Sequence, residues 1–120
     1  MKNVVRFILT SLLLVILASQ TFASDEFTVE ARDFDDGNVR VSLTEQPYAD
    51  GHSCIWHGSG SPDRAEYVIE FPVSGNYTLF ALYAAAQSRP VEITIDGQML
   101  HTGFAGVTGS WQTKSAKWEA

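Results

Sequence analysis

Two loop-like stretches of this 120-residue chain carry side chains of the types that hold sugars in water. Recognition of a pyranose needs a flat apolar ring to stack on its C–H face and polar groups to meet its hydroxyls. Residues 44–64 (TEQPYADGHSCIWHGSGSPDR) read as loop, broken only by a short strand at Cys54-Ile55-Trp56, and they carry Tyr48, Trp56 and His57. A loop of that length inside a compact domain is usually functional or disordered, which makes it the first candidate for a ligand surface. A glycine-rich loop over 102–110 ends at Trp111. The plain structural alternative is that both tryptophans cover edges of the core. Trp118, alternating with Ala116 in an expected strand, is assigned to the core.

Other chemistries fit less well. His52, Cys54 and His57 invite a metal, since imidazole and thiolate bind zinc or copper. Their H-x-C-x-x-H spacing matches no standard finger, and the second cysteine of a haem-attachment motif is missing, so loop histidines beside a buried thiol explain them better. A glycosidase needs two carboxylates about 5–10 Å apart across a cleft. Asp63 with Glu66 and Asp35 with Asp36 are the nominees, but they read as solvated acids in a turn and on a polar strand face. There is no G-x-S-x-G elbow, and the chain is too short for the α/β scaffold that elbow needs. Gly103, Gly106 and Gly109 are not spaced as a phosphate cradle. No enzymatic activity is expected. Asn76-Tyr77-Thr78 is a glycosylation sequon that matters where the host modifies such sites.

The elements that must position these loops are strands. In residues 64–98, Tyr67, Ile69 and Phe71 alternate with Glu66, Val68 and Glu70, the period-two pattern of a half-buried strand. Pro72 and Ser74-Gly75-Asn76 then turn the chain. Residues 77–84 are apolar on both faces, which only a central, doubly covered strand explains. Val91, Ile93 and Ile95 alternate again, and Asp96-Gly97 is the preferred dipeptide for a tight primed hairpin turn before a return strand at 98–101. Upstream, Phe27, Val29 and Ala31 predict a first strand, and Val39, Val41 and Leu43 predict another. The fold class is all-β, an antiparallel β-sandwich, with no repeat, heptad or convincing helix.

The amino-terminal end has the grammar of a secretory leader. Lys2 and Arg6 precede the apolar run 7–18, and Thr21-Phe22-Ala23 places small residues around a cut after Ala23. A run of twelve residues falls short of the roughly 20 that span a bilayer, so a stable membrane span is not expected. Residues 1–23 are therefore assigned to a signal peptide and 24–120 to one small domain, secreted, periplasmic or at the cell surface. Lys2 and Arg6 lie in the leader, leaving 6 basic residues against 14 acidic ones. That balance excludes nucleic acid, which needs a basic footprint, and disfavours anionic membranes and strongly anionic polysaccharides. Cys54 is the lone cysteine, so no internal disulfide supports the domain, and it reads as a small buried side chain.

The segment AEYVIEFPVSGNYTLFALYAA, the following RPVEITIDG and the later TGSW resemble carbohydrate-binding modules of families 6 and 35. The resemblance spans roughly 27–118 and implies a jelly-roll sandwich of the galactose-binding-like kind. It also implies non-catalytic polysaccharide binding, with Trp111 as one wall of the sugar cleft and Trp56 the nearest candidate for the other. Family members often hold a structural calcium with two glutamates of an E-A-E motif. This chain reads Glu30-Ala31-Arg32-Asp33, so Glu30 is the best surviving ligand, Asp33 a substitute, and the arginine weakens the site. The families continue for one or two strands beyond the point corresponding to Ala120. The resemblance therefore implies a sandwich lacking its last strand or strands, the amino-terminal part of a longer exported protein with a catalytic or structural domain to follow. Arg32, and Lys114 where some relatives place an aromatic, leave open a structural or protein-interaction domain with a degenerate sugar site.

Overall fold

The structure, a computed structural model, describes residues 2–9, 13–20, 26–42 and 53–120. Its strands in chain order are β1 (Lys2–Leu9), β2 (Leu13–Gln20), β3 (Glu26–Val29), β4 (Asp36–Gly37), β5 (Arg40–Ser42) and β6 (Cys54–Trp56). They continue as β7 (Asp63–Glu70), β8 (Tyr77–Ala84), β9 (Val91–Ile95) and β10 (Gln98–Gly103); a 3-10 turn at Thr113–Ser115 then precedes β11 (Lys117–Glu119). Every pairing is antiparallel. One sheet has the order β10-β9-β1-β7-β4, the second β11-β8-β2-β3, and β5 with β6 forms a small ribbon. Among the described residues no helix is long and apolar enough to cross a membrane.

The period-two pattern explains the core. Asp63, Ala65, Tyr67 and Ile69 of β7 point inward while Val68 and Glu70 face solvent. Their inner face meets Val91 and Ile93 of β9 on its own sheet and Ala81 and Tyr83 of β8 on the other. β8 lies between β11 and β2, which is the central placement its two apolar faces require. Asp96 and Gly97 both have positive φ, 49° and 80°, the conformation of a primed hairpin turn that glycine adopts without strain.

The amino-terminal stretch departs furthest from expectation. Residues read as part of a leader outside the domain form β1 and β2, each in the interior of a sheet. Phe7 is fully buried and meets Tyr67 edge-to-face, with ring centroids 5.6 Å apart. Val5 is buried beside it, whereas Arg6 on the opposite face pairs with Glu66 at 2.5 Å. The ambiguity is physical: a short apolar run has the composition of both a leader core and a buried strand, and length does not separate them at eight residues.

Two smaller corrections concern faces. Val39 is buried, but Val41 in β5 is 44% exposed and Ser42 takes the inward position, so the expected Val39–Val41 alternation is inverted across the start of β5. Leu43 lies outside the described residues. Trp118 is 52% exposed rather than in the core, because among the described residues β11 is an edge strand paired only with β8.

Candidate functional site

The loops that carry the candidate aromatics meet at the carboxyl end of β8. Cys54 of β6 is buried against Ala84, with Ala116 packed on the pair, so β6 and the segment after Trp111 converge there. Thr108 secures the loop: its amide donates to the Ala85 carbonyl at 2.8 Å, and its hydroxyl oxygen accepts from the Ala85 amide at 2.9 Å. Ser110 and Ser115 hydrogen-bond each other at 3.0 Å, and the Ser115 hydroxyl also donates to the Gln112 carbonyl at 2.8 Å. Trp111 is therefore held on a tight polar turn, half-buried against the core, with the Arg89 guanidinium 5.9 Å from its ring centroid. The buried Nε of Arg89 finds no hydrogen-bond partner among the described residues.

Trp56 repeats this arrangement on the ribbon. It is half-buried, lies opposite Arg40 in the β5–β6 pairing, and has that guanidinium 5.5 Å from its ring centroid. The elements that carry Trp56 and Trp111 thus converge at the end of β8, each tryptophan half-buried with a guanidinium near its ring, the geometry of a cation–π contact, and the Trp56 Nε1 is buried. Tyr48 and His52 lie outside the described residues. Cys54 is buried, as its sequence context predicts.

His57 belongs to a buried polar clamp. Its Nδ1 lies 2.7 Å from Oδ2 of Asp63, whose Oδ1 accepts the Gly58 amide at 3.0 Å. Asp63 is only 4% exposed while the His57 side chain is 54% exposed, so a buried carboxylate orients an imidazole whose far edge faces outward. Asp63 is thus not the solvated acid that its position suggests. The signal was its place at the end of a short loop, where a reversal returns the chain to residues 57 and 58. Asn38 closes the other side: its Oδ1 accepts the Arg64 amide at 2.7 Å and its Nδ2 donates to the Pro62 carbonyl at 3.1 Å. Gly58 packs so closely that a Cβ there would lie 1.6 Å from the Asn38 carbonyl oxygen.

The other acids nominated for hydrolysis make contacts within the fold. Glu66 pairs with Arg6, Asp36 with Arg64 at 2.9 Å, and Asp35 accepts the Val68 amide at 2.6 Å. Glu30 and Asp33 are exposed, and Asp33 faces Arg32 at 3.8 Å. Calcium needs six or more oxygens, and among the described residues no group of three or more His, Cys, Asp or Glu assembles, so these residues do not fit that ion.

A cavity lies at the opposite end of β8 from the tryptophans, roughly 25 Å away at 3.3 Å per strand residue. It holds about 320 Å³ between the turn 72–76 and β10, lined by Phe71, Tyr77, Ile95, Leu100 and the amides Asn3 and Asn76. The Phe71 and Tyr77 rings stand 4.6 Å apart and make one wall of it.

Tyr83 ties β8 to β11 behind the rim. Its hydroxyl donates to Glu119 and accepts the Gly106 amide at 3.1 Å, while the other Glu119 oxygen accepts the Phe104 amide at 3.2 Å. Burial, reinforced by the hydrogen bond to Glu119, pushes the Tyr83 phenol up from 10.0 to about 12. Burial, with the charge of Asp33 adding to it, pushes the Tyr67 phenol up as well. The unfolded phenol ionises near pH 10 and the folded one resists, so this stability is complete below pH 10 and lost as pH rises towards 12. Tyr83→Phe is expected to remove about 1 kcal/mol of that alkaline loss between pH 9 and pH 11. Urea midpoints at pH 9 and pH 11 measure it, and an unchanged pH slope in the variant would refute it.

No protein-family model matches the chain, and comparison with curated proteins and with solved structures returns no match.

Proposed function

We propose that the chain is a non-catalytic carbohydrate-binding β-sandwich of an exported protein, similar in kind to the family 6 and 35 modules. The observation that carries this reading is the convergence at one end of β8 of the elements that carry Trp56 and Trp111, each tryptophan half-buried and beside a guanidinium. Indole faces stack on pyranose rings, and arginine donors with the outward edge of His57 would meet the hydroxyls. The carboxylates nominated for hydrolysis support a binding role, since Asp63 and Glu66 are engaged in structural pairs. Export is inferred from the order of charged, apolar and small residues at the amino terminus. A shallow site with one or two stacking walls corresponds to micromolar to millimolar affinity, about −8 to −4 kcal/mol.

Affinity electrophoresis of the full chain against a panel of neutral polysaccharides tests the reading. At least one glycan is expected to retard the protein, and Trp111→Ala to weaken that binding by about tenfold or more, ~1.4 kcal/mol. Retardation by no glycan, or an unaffected Trp111→Ala protein, counts against it.

A protein-interaction role is the second reading. Met99 and Leu100 of β10 are about two-thirds exposed on a sheet edge, where main-chain pairing with another polypeptide is available. Glycan-independent retention on an immobilised protein partner, unaffected by Trp111→Ala, would favour it.

A further inference from the structure

The cavity between the turn 72–76 and β10 is remote from the tryptophans and has a chemistry of its own. Its walls are the Phe71 and Tyr77 rings, with Val73, Ile95 and Leu100 around them and no charged side chain among the lining residues. An unpaired charge is costly to bury in such surroundings, so the lining selects a neutral ligand. The two rings stand 4.6 Å apart and tilted by 60°, and such a pair offers a third aromatic ring the offset or edge-to-face packing that these groups prefer. A cavity of about 150 Å³ takes one benzene ring, so about 320 Å³ has room for a ring and a short substituent.

One polar atom sets the remaining requirement. Asn3 also lines the cavity, and its Nδ2 donates to Asp96 Oδ2 at 3.3 Å while the other Asp96 oxygen accepts the Val4 amide at 3.0 Å. That pairing orients the Asn3 amide and leaves its Oδ1 buried with no hydrogen-bond donor among the described residues. The Tyr77 hydroxyl is already given to the Val73 carbonyl at 2.7 Å. A pyranose, with several hydroxyls to satisfy, fits this lining poorly; a ring with a single donor fits it well.

We propose that this cavity binds a neutral phenol group, its ring packed on Phe71 and Tyr77 and its hydroxyl donated to Asn3 Oδ1. A buried acceptor without a donor costs free energy, so a ligand that supplies the donor is favoured over the same ring without it. The inference is independent of sugar binding. Because β1 supplies Asn3, the site belongs to the chain that retains residues 2–20.

Titration of the full nitrogen-15-labelled chain with p-cresol, followed by its amide resonances, tests the proposal. Saturable shifts are expected at residues 71–77 and at the Asn3 side-chain amide, with a dissociation constant of about 1 mM or below, the range open to a ligand of this size. Toluene, which lacks only the hydroxyl, is expected to bind about fivefold more weakly. The anion 4-methylbenzoate and the sugar methyl glucoside are expected to bind at least about tenfold more weakly. Asn3→Ala is expected to bring p-cresol down to the level of toluene. Leu100→Trp, at a side chain 64% exposed and so tolerant of change, is expected to block both while the thermal transition stays in place. A free phenol and a tyrosine side chain share this chemistry: p-cresol binding more tightly than N-acetyltyrosinamide assigns the site to the first, and the reverse order to the second. Absence of saturable shifts in the parent, or shifts centred on Trp56 and Trp111 instead, would overturn the proposal. So would equal affinity for toluene and p-cresol, methyl glucoside bound as tightly as p-cresol, an Asn3→Ala chain that keeps the preference for p-cresol, or an unaffected Leu100→Trp chain. None of these measurements involves a polysaccharide or Trp111→Ala, so their failure leaves the carbohydrate reading standing.

Discussion

Replacing Phe7 with alanine is expected to lower the stability of the full chain by about 3–5 kcal/mol, the usual cost of truncating a fully buried aromatic. Phe7 is fully buried, touches Tyr67 edge-to-face, and belongs to a strand flanked on both sides, so the surroundings have little freedom to close over the void. Val68→Ala is the control: Val68 sits on β7 close by but is half exposed, and its truncation is expected to cost about 0.5 kcal/mol or less. Urea unfolding of the three proteins measures the difference. Equal midpoints for Phe7→Ala and the parent would show that β1 contributes nothing to the core.

Removing the Asp63 carboxylate is expected to cost about 2–3 kcal/mol, more than any exposed acid of the chain, because it leaves a buried donor without its acceptor. The Gly58 amide and His57 Nδ1 both lose their partner, and Gly58 cannot relax toward Asn38, whose carbonyl already fills the space a Cβ would need. Asp63→Ala should unfold at a temperature lower by roughly 8–20 °C on the scale of a domain this size. Asp63→Asn, which keeps one carbonyl oxygen for Gly58, should lose less. The imidazole gives a second readout: its Nδ1–H proton resonance, sheltered by the carboxylate in the parent, should vanish in Asp63→Ala. Unchanged melting in that variant would mean that the loop 57–62 is held by Asn38 alone.

These residues show which parts of the molecule could be read from the chain. β7 and β9 were legible because side-chain direction alternates with every residue, so Tyr67, Ile69, Val91 and Ile93 announce their burial without knowledge of a partner. The Asp96-Gly97 turn was legible because positive φ restricts residue type locally. Asp63 was not, since a carboxylate becomes buried through what returns to meet it, and its partners His57 and Gly58 are brought back by a loop with no periodicity. The amino-terminal strands were not legible for a related reason: Val5 and Phe7 have the composition of a leader and of a sheet interior alike, and their pairing with β7 and β9 is not written in the local pattern. Trp118 shows the converse error, a large ring assigned inward that an edge strand leaves in solvent.

The lone thiol of the chain gives the rim a built-in gauge. Cys54 is sealed where the short ribbon abuts the last residue of β8 and the stretch following the 3-10 turn. An alkylating reagent reaches that sulfur when the ribbon lifts away, so an alkylation rate above that of global unfolding counts liftings of the tryptophan-bearing end. A ligand that clasps both indoles would slow that clock without touching the sulfur.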